Sequence, residues 1–248
     1  MARYKMVVDL DRCQGCRACM EACKVENNTP AGVFWMYVFR FEQGEFPDTS
    51  ISFLPRPCQH CNNAPCVKVC PTGARYKRED GLVLTDFERC IGCRYCEVAC
   101  PYGVNYFNWR KPDHAFDDYK MDFSDPDLVA FTGGVVPPYR NPDHDVKHGP
   151  EGRLTSGSGH FKGVMEKCTF CVHRVEKGLV PACVDTCPVG ALRFGDAEDE
   201  NSPISVFIRE HESFQLLEEL GTDPSVIYVG GAPPSTESRE IERPMTRV

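Results

Sequence analysis

The sequence predicts an α+β fold built as two nested units of short strands and short helices arranged around groups of cysteines, with long loop insertions. Three observations carry this. The 16 cysteines fall into four groups of four. A pattern of strand, cysteine loop and short helix recurs along the chain. Polar stretches too long to be simple connections separate the groups. The 248 residues are 42% hydrophobic and 26% charged, ordinary for a globular chain. With 28 basic and 36 acidic residues the net charge is −8, which excludes the basic footprint of a nucleic-acid binder. The longest apolar run, Val33 to Phe39, has seven residues, against about 20 for a membrane span. Met1 to Leu10 reads as neither an apolar signal region nor a twin-arginine leader.

The groups are Cys13, Cys16, Cys19, Cys23; Cys58, Cys61, Cys66, Cys70; Cys90, Cys93, Cys96, Cys100; and Cys168, Cys171, Cys183, Cys187. The first and third read C-x2-C-x2-C-x3-C, and Pro71, Pro101 and Pro188 follow the last cysteine of the second, third and fourth groups. A disulfide framework suits small secreted chains. Zinc favours two separated pairs, which the second and fourth groups alone could supply. The run C-x2-C-x2-C-x3-C-P is the bacterial ferredoxin signature of [4Fe–4S] clusters, in which the fourth cysteine ligates the other cluster. Four quartets in agreement favour iron–sulfur, and four [4Fe–4S] clusters are the expected cofactors.

The spacing has a physical reason. A short loop with a cysteine every third residue wraps three corners of a cube. The chain then enters a helix, and the fourth cysteine, one turn on, points to a second cube. Proline stops that helix. Each group therefore needs a partner. About twenty residues separate Cys70 from Cys90, one ferredoxin repeat, so groups two and three pair and groups one and four pair by elimination. The expected ligand sets are Cys13, Cys16, Cys19 with Cys187; Cys168, Cys171, Cys183 with Cys23; Cys58, Cys61, Cys66 with Cys100; and Cys90, Cys93, Cys96 with Cys70. Two bacterial-ferredoxin-like units result: residues 1–30 plus 160–200, with 57–110 nested inside.

The elements follow in order. Tyr4 to Leu10 alternates as a strand. Residues 31–56 form an aromatic insertion, with Val33 to Phe41 and Thr49 to Leu54 as a hairpin whose aromatics are core residues or a docking face. Ala74 to Lys77 and Leu82 to Thr85 flank the Gly-containing turn Arg78-Glu79-Asp80-Gly81, a second hairpin. Residues 111–159 are a long loop insertion without periodicity. His114, His144, His148 and His160 in or beside it read as solvated residues. Ala191 to Phe194 is a strand. Residues 201–248 hold a helix within Pro203 to Leu220, closed by Gly221, then a strand, Ser225 to Val229, and a tail from Gly230 with no packing signal. No general base, nucleophile or phosphate loop appears, so no catalytic residue is assigned. Arg17 and Arg94 lie inside cysteine loops, and Lys24, Lys167 and Arg174 flank others. A cation near an anionic cluster favours its reduced form.

With the groups laid out, particular motifs carry a resemblance. They are Cys16 to Lys24 with Glu26-Asn27-Asn28, Pro57 to Cys61, Ala64 to Cys66, Cys90 to Cys96, Cys100 to Gly103, Glu166 to Cys171, Lys177 to Cys183 and Leu220 to Val226. Over most of its length the chain resembles the four-cluster ferredoxin subunit of the DMSO-reductase-type molybdenum oxidoreductase complexes. In that family's nitrate reductases a tryptophan replaces one cysteine of the third quartet; here Cys93 is present. Its membrane-bound formate dehydrogenases end this subunit in a transmembrane helix, which has no counterpart here. The branch that remains is that of the polysulfide, thiosulfate, tetrathionate, sulfite, arsenate and dimethyl sulfoxide enzymes. The resemblance implies a non-catalytic electron-transfer subunit between a large molybdopterin-containing catalytic subunit and an integral membrane quinone-binding subunit. It implies a peripheral location held by those partners, on the cytoplasmic face or exported with a signal-bearing partner, and a sulfur or arsenic oxyanion as the complex's substrate. The alternative is a free polyferredoxin or a hydrogenase-type accessory carrier.

Overall fold

In the computed structural model, residues 2–30, 32–109, 147–155, 160–231 and 238–241 are described. β1 (Tyr4–Asp9) lies inside a four-stranded sheet. Antiparallel β8 (Leu192–Asp196) pairs with it on one side, Val8 opposite Leu192. Parallel β10 (Val226–Val229) pairs on the other, Met6 opposite Val226, and β9 (Ser213–Phe214) adds antiparallel to β10. Met6, Val7 and Val8 are fully buried, the mark of a strand covered on both faces. α6 (Pro203–Glu210) covers one face, packing Ile204 against Val7, Ile227 and Val229. Ser202 caps it by accepting from the Ser205 N–H at 3.2 Å, and Pro203 begins the first turn.

That helix ends well before Gly221. The chain is extended at His211, and Phe214 leaves the helical face to stack on Tyr228 in the sheet at 5.7 Å. Gly221 instead closes a 3-10 turn over Glu218–Leu220. The apolar residues after position 210 serve a strand edge, so the helical spacing there has a different cause.

The first hairpin is formed by β2 (Tyr37–Glu45) and β3 (Asp48–Arg56), with Tyr37 opposite Arg56 and Glu45 opposite Asp48. Trp35, Tyr37 and Phe39 are buried at its base, whereas Phe46 at its tip is exposed. The core reading of the aromatics therefore holds for the base. The tail does pack in part, since β11 (Arg239–Glu240) pairs with Phe41 and Glu42 of β2. The second hairpin is β4 (Arg75–Lys77) with β5 (Val83–Thr85), and β6 (Tyr106–Phe107) pairs with β7 (Met165–Glu166).

Among the described residues five helices stand beside the cysteines. They are α1 (Ala18–Asn27), α2 (Pro65–Lys68), α3 (Tyr95–Val98), α4 (Val172–Val175) and α5 (Ala182–Asp185). In α1, α2, α3 and α5 the third cysteine of a group is the second helical residue. Where proline follows the fourth cysteine, the helix has a single turn. Lys24 stands in that position after Cys23, and α1 alone runs on to Asn27. The cysteines and apolar side chains share one continuous core.

Candidate metal centres

In every quartet the residue before the second cysteine has a positive φ: Gly15 at 65°, His60 at 42°, Gly92 at 68° and Phe170 at 54°. This reversal turns the backbone N–H groups inward. The N–H of His60 donates to Cys58 Sγ at 3.5 Å and that of Phe170 to Cys168 Sγ at 3.4 Å. After the fourth cysteine the pattern recurs: the Arg75 N–H donates to Cys70 Sγ and the Ala191 N–H to Cys187 Sγ, both at 3.3 Å. Such donors favour a charged sulfur. His60 and Phe170 hold their left-handed backbone with side chains stacked at 3.8 Å. His60 Nδ1 accepts from the Val83 N–H, which leaves Nε2–H to donate to the Cys168 carbonyl. Burial, reinforced by Lys167 and Arg75, pushes its pKa well below the usual histidine value, so this ring is neutral.

None of the 16 cysteines forms a disulfide. Cys70, Cys90, Cys93 and Cys96 line one cavity together with Arg75 and Met165. Cys58, Cys61, Cys66 and Cys100 line a second with Asn105 and Lys167. Near the N-terminus, burial and then Cys13, Cys187 and Cys16 push the Cys19 thiol up to about 12. Burial and then Cys171, Cys23, Cys168 and Cys19 push Cys183 well above its ordinary value. The Asn27 amide donates to both Cys23 Sγ (3.6 Å) and Cys171 Sγ (3.7 Å). Among the described residues no three Cys, His, Asp or Glu side chains come close enough to hold a single metal ion; the thiols line cavities instead.

The charge around these cavities tests what fits them. Arg75 and Lys167 are 2% exposed, and among the described residues neither has a carboxylate within ion-pair distance. Arg75 Nη2 donates to Cys96 Sγ at 3.3 Å and to Asn105 Oδ1 at 2.8 Å, while its Nε and Nη1 have no partner among the described residues. Burial opposes its charge, yet the Cys96, Cys66 and Cys58 sulfurs raise its pKa above the usual arginine value. Among the described residues Lys167 Nζ reaches the Val83 and Cys168 carbonyls. Buried cations without counter-ions are costly. Thiols, inward N–H donors and unpaired buried cations together fit an anionic, thiolate-ligated cluster.

Sequence reasoning had singled out Lys167 and missed Arg75, which no local pattern marks. Of its other cations, Arg94 borders the Cys93 cavity but is paired with Glu97 at 2.8 Å. Lys24 is held by the Thr29, Pro30 and Val33 carbonyls, and Arg174 by Asp185. Two histidines are corrected. His148 and His160 are buried, bonded to Glu176 (2.8 Å) and Glu166 (2.7 Å) respectively. Their polar neighbours suggested solvent, but the carboxylates come from beyond the insertion. His114 and His144 lie outside the described residues.

The sequence profile of the 4Fe-4S dicluster domain matches residues 49–116 and 158–197, and that of a 4Fe-4S binding domain matches residues 4–25. The arsenate respiratory reductase iron-sulfur subunit of a Shewanella species is 43% identical, covering 92% of this chain and 96% of its own. A subunit of the selenate reductase of Mesobacillus selenatarsenatis is 40% identical, over 92% of this chain and 72% of its own. The iron-sulfur cluster-binding subunit of menaquinone reductase from Nitratidesulfovibrio vulgaris is 34% identical, over 92% and 88%. Shared over nearly the whole length, and with thiol-lined cavities to match, this likeness means that the chain belongs to the iron–sulfur electron-transfer subunits of the DMSO-reductase-type molybdoenzyme complexes.

Proposed function

We propose that the chain carries electrons through four [4Fe–4S] clusters between a large molybdopterin-containing catalytic subunit and a quinone-linked membrane subunit. The ligand sets are Cys13, Cys16, Cys19, Cys187; Cys168, Cys171, Cys183, Cys23; Cys58, Cys61, Cys66, Cys100; and Cys90, Cys93, Cys96, Cys70. The observation that carries this reading is the lining of two separate cavities by the last two sets. When bound, each cluster supplies one-electron chemistry. The chain's own part is electrostatic and positional: it presents N–H donors to the sulfurs, excludes water from the inner thiols and supplies buried positive charge. Neutral His60 and Phe170, stacked between the loops of Cys58 and Cys168, fix the spacing of two of these sites.

The nesting of residues 57–110 inside 1–30 plus 160–200 is supported by the pairing of β1 with β8 across the intervening chain. Among the described residues no helix is long and apolar enough to cross a membrane; attachment to a membrane is through partners, on a face set by them. Relatives named for arsenate and selenate reductases favour an oxyanion as the substrate of the complex, taken up by the catalytic subunit. Isolation of the native complex without oxygen tests the reading. About sixteen irons per chain with molybdenum or tungsten on a large co-purifying chain is the expected result. The same iron with no second metal and no partner would turn the reading to a free polyferredoxin.

A further inference from the structure

Arg75, Asn105 and Leu192 occupy the same place in the internal repeat, five residues after Cys70, Cys100 and Cys187. All three are buried. Their chemistry differs: a cation, an amide and a hydrocarbon. Arg75 and Asn105 meet across the inner unit, where Asn105 accepts from Arg75 Nη2 at 2.8 Å and donates to the Cys96 carbonyl at 3.2 Å. This clamp aims the guanidinium at Cys96 Sγ, 3.3 Å away. Two of its nitrogens, Nε and Nη1, are buried without a partner among the described residues, and Arg75 lines the cavity of Cys70, Cys90, Cys93 and Cys96. The loop of Cys187 has Leu192 at that place, which carries no charge.

We propose that Arg75 is a redox-setting residue: its guanidinium, aimed by Asn105 at Cys96, makes the centre held by Cys70, Cys90, Cys93 and Cys96 easier to reduce. One-electron reduction adds one negative charge there and moves no proton; the electron comes from the complex's own donor or, in a titration, from dithionite. A buried cation in hydrogen-bond contact with a ligand sulfur stabilises that added charge in a low-dielectric site. The centre beside exposed Cys93 then acts as the place where an electron rests before leaving the chain. The inference depends on the ligand sets proposed above.

The test is an anaerobic redox titration of the native complex, followed by electron paramagnetic resonance. The signal lost in Cys93→Ser identifies the centre. Arg75→Leu, which copies Leu192, is expected to lower the reduced-to-oxidised ratio of that signal about tenfold or more at a fixed poise, with a smaller change at the centre of Cys58, Cys61, Cys66 and Cys100, whose sulfurs also feel Arg75, and none in the two outer centres. Arg75→Lys restores most of the shift, and Arg75→Gln, which can donate but carries no charge, restores less. No shift, an equal shift in every signal, or equal behaviour of the lysine and glutamine variants would overturn the proposal. So would loss of this cluster in all three variants, which would make Arg75 an assembly residue. Iron and sulfide are assayed on the unmodified complex in parallel, and their absence there would defeat the ligand reading itself.

Discussion

Two glycines with the same backbone sign do different work. Gly92 has a φ of 68°, and a Cβ there would collide with the Gly163 carbonyl; Gly73 has a φ of 64° with nothing within 4 Å. Gly73→Ala therefore costs only the left-handed backbone, about 1 kcal/mol. Gly92→Ala must also move the main chain, roughly 3 kcal/mol or more, and loses iron. Anaerobic denaturant unfolding with iron assay separates the two. His160 offers a second prediction. Its Nε2 faces the Asn27 carbonyl at 2.9 Å and so carries a proton; its Nδ1 meets Glu166, which also accepts from Asn108 at 2.6 Å. Burial pulls the His160 pKa down, but Glu166 and the Asn27 carbonyl outweigh it and the net shift is upward. A raised histidine gives its full stability below the ordinary histidine range and loses it as pH rises through the raised value. His160→Leu is expected to cost about 3–5 kcal/mol at acid pH, with the deficit shrinking toward alkaline pH. Unfolding curves across pH measure it.

At the scale of elements, one position divides long helix from short. Proline follows Cys70, Cys100 and Cys187 and ends each helix after one turn, while Lys24 lets α1 continue to Asn27. That extra length carries the Asn27 amide to Cys23 and Cys171. Lys24→Pro is expected to remove about 3 kcal/mol and to shorten α1, seen as lost helical circular dichroism together with lost iron. This much was written in the sequence, because cysteine spacing and proline act locally. Both hairpins were legible for the same reason, as period-2 alternation around a turn. What was not legible depends on residues distant along the chain. Arg75 has no periodic signature, and its environment comes from Cys96 and Asn105. His160 looked solvated because its carboxylate, Glu166, belongs to a strand completed by Phe107 and Tyr106. The parallel register of β1 on β10 spans more than two hundred residues, beyond any local pattern.

Across the whole molecule, exposure is graded. Cys16 and Cys93 are exposed, whereas Cys23, Cys168, Cys171 and Cys183 are all buried. Under the proposed ligand sets, the two ends of the relay meet solvent and its middle does not. Brief exposure to air is expected to bleach first the resonance signals that Cys16→Ser or Cys93→Ser abolishes, and last those that depend on Cys171. Uniform loss would contradict a graded relay.

The position of β1 also bears on how the protein is made. It leaves the ribosome well before its two neighbours, β8 and β10, which begin at residues 192 and 226. Until residues 192–229 have been synthesised, β1 has no complete sheet to join, and Cys13 and Cys19 gain Cys187 beside them only late. The hairpin of β4 and β5 and its flanking cysteines are complete more than a hundred residues sooner. Maturation therefore has a built-in sequence: the inner cysteines can receive iron first, and the outer set must wait for Cys187 and the strands that follow it.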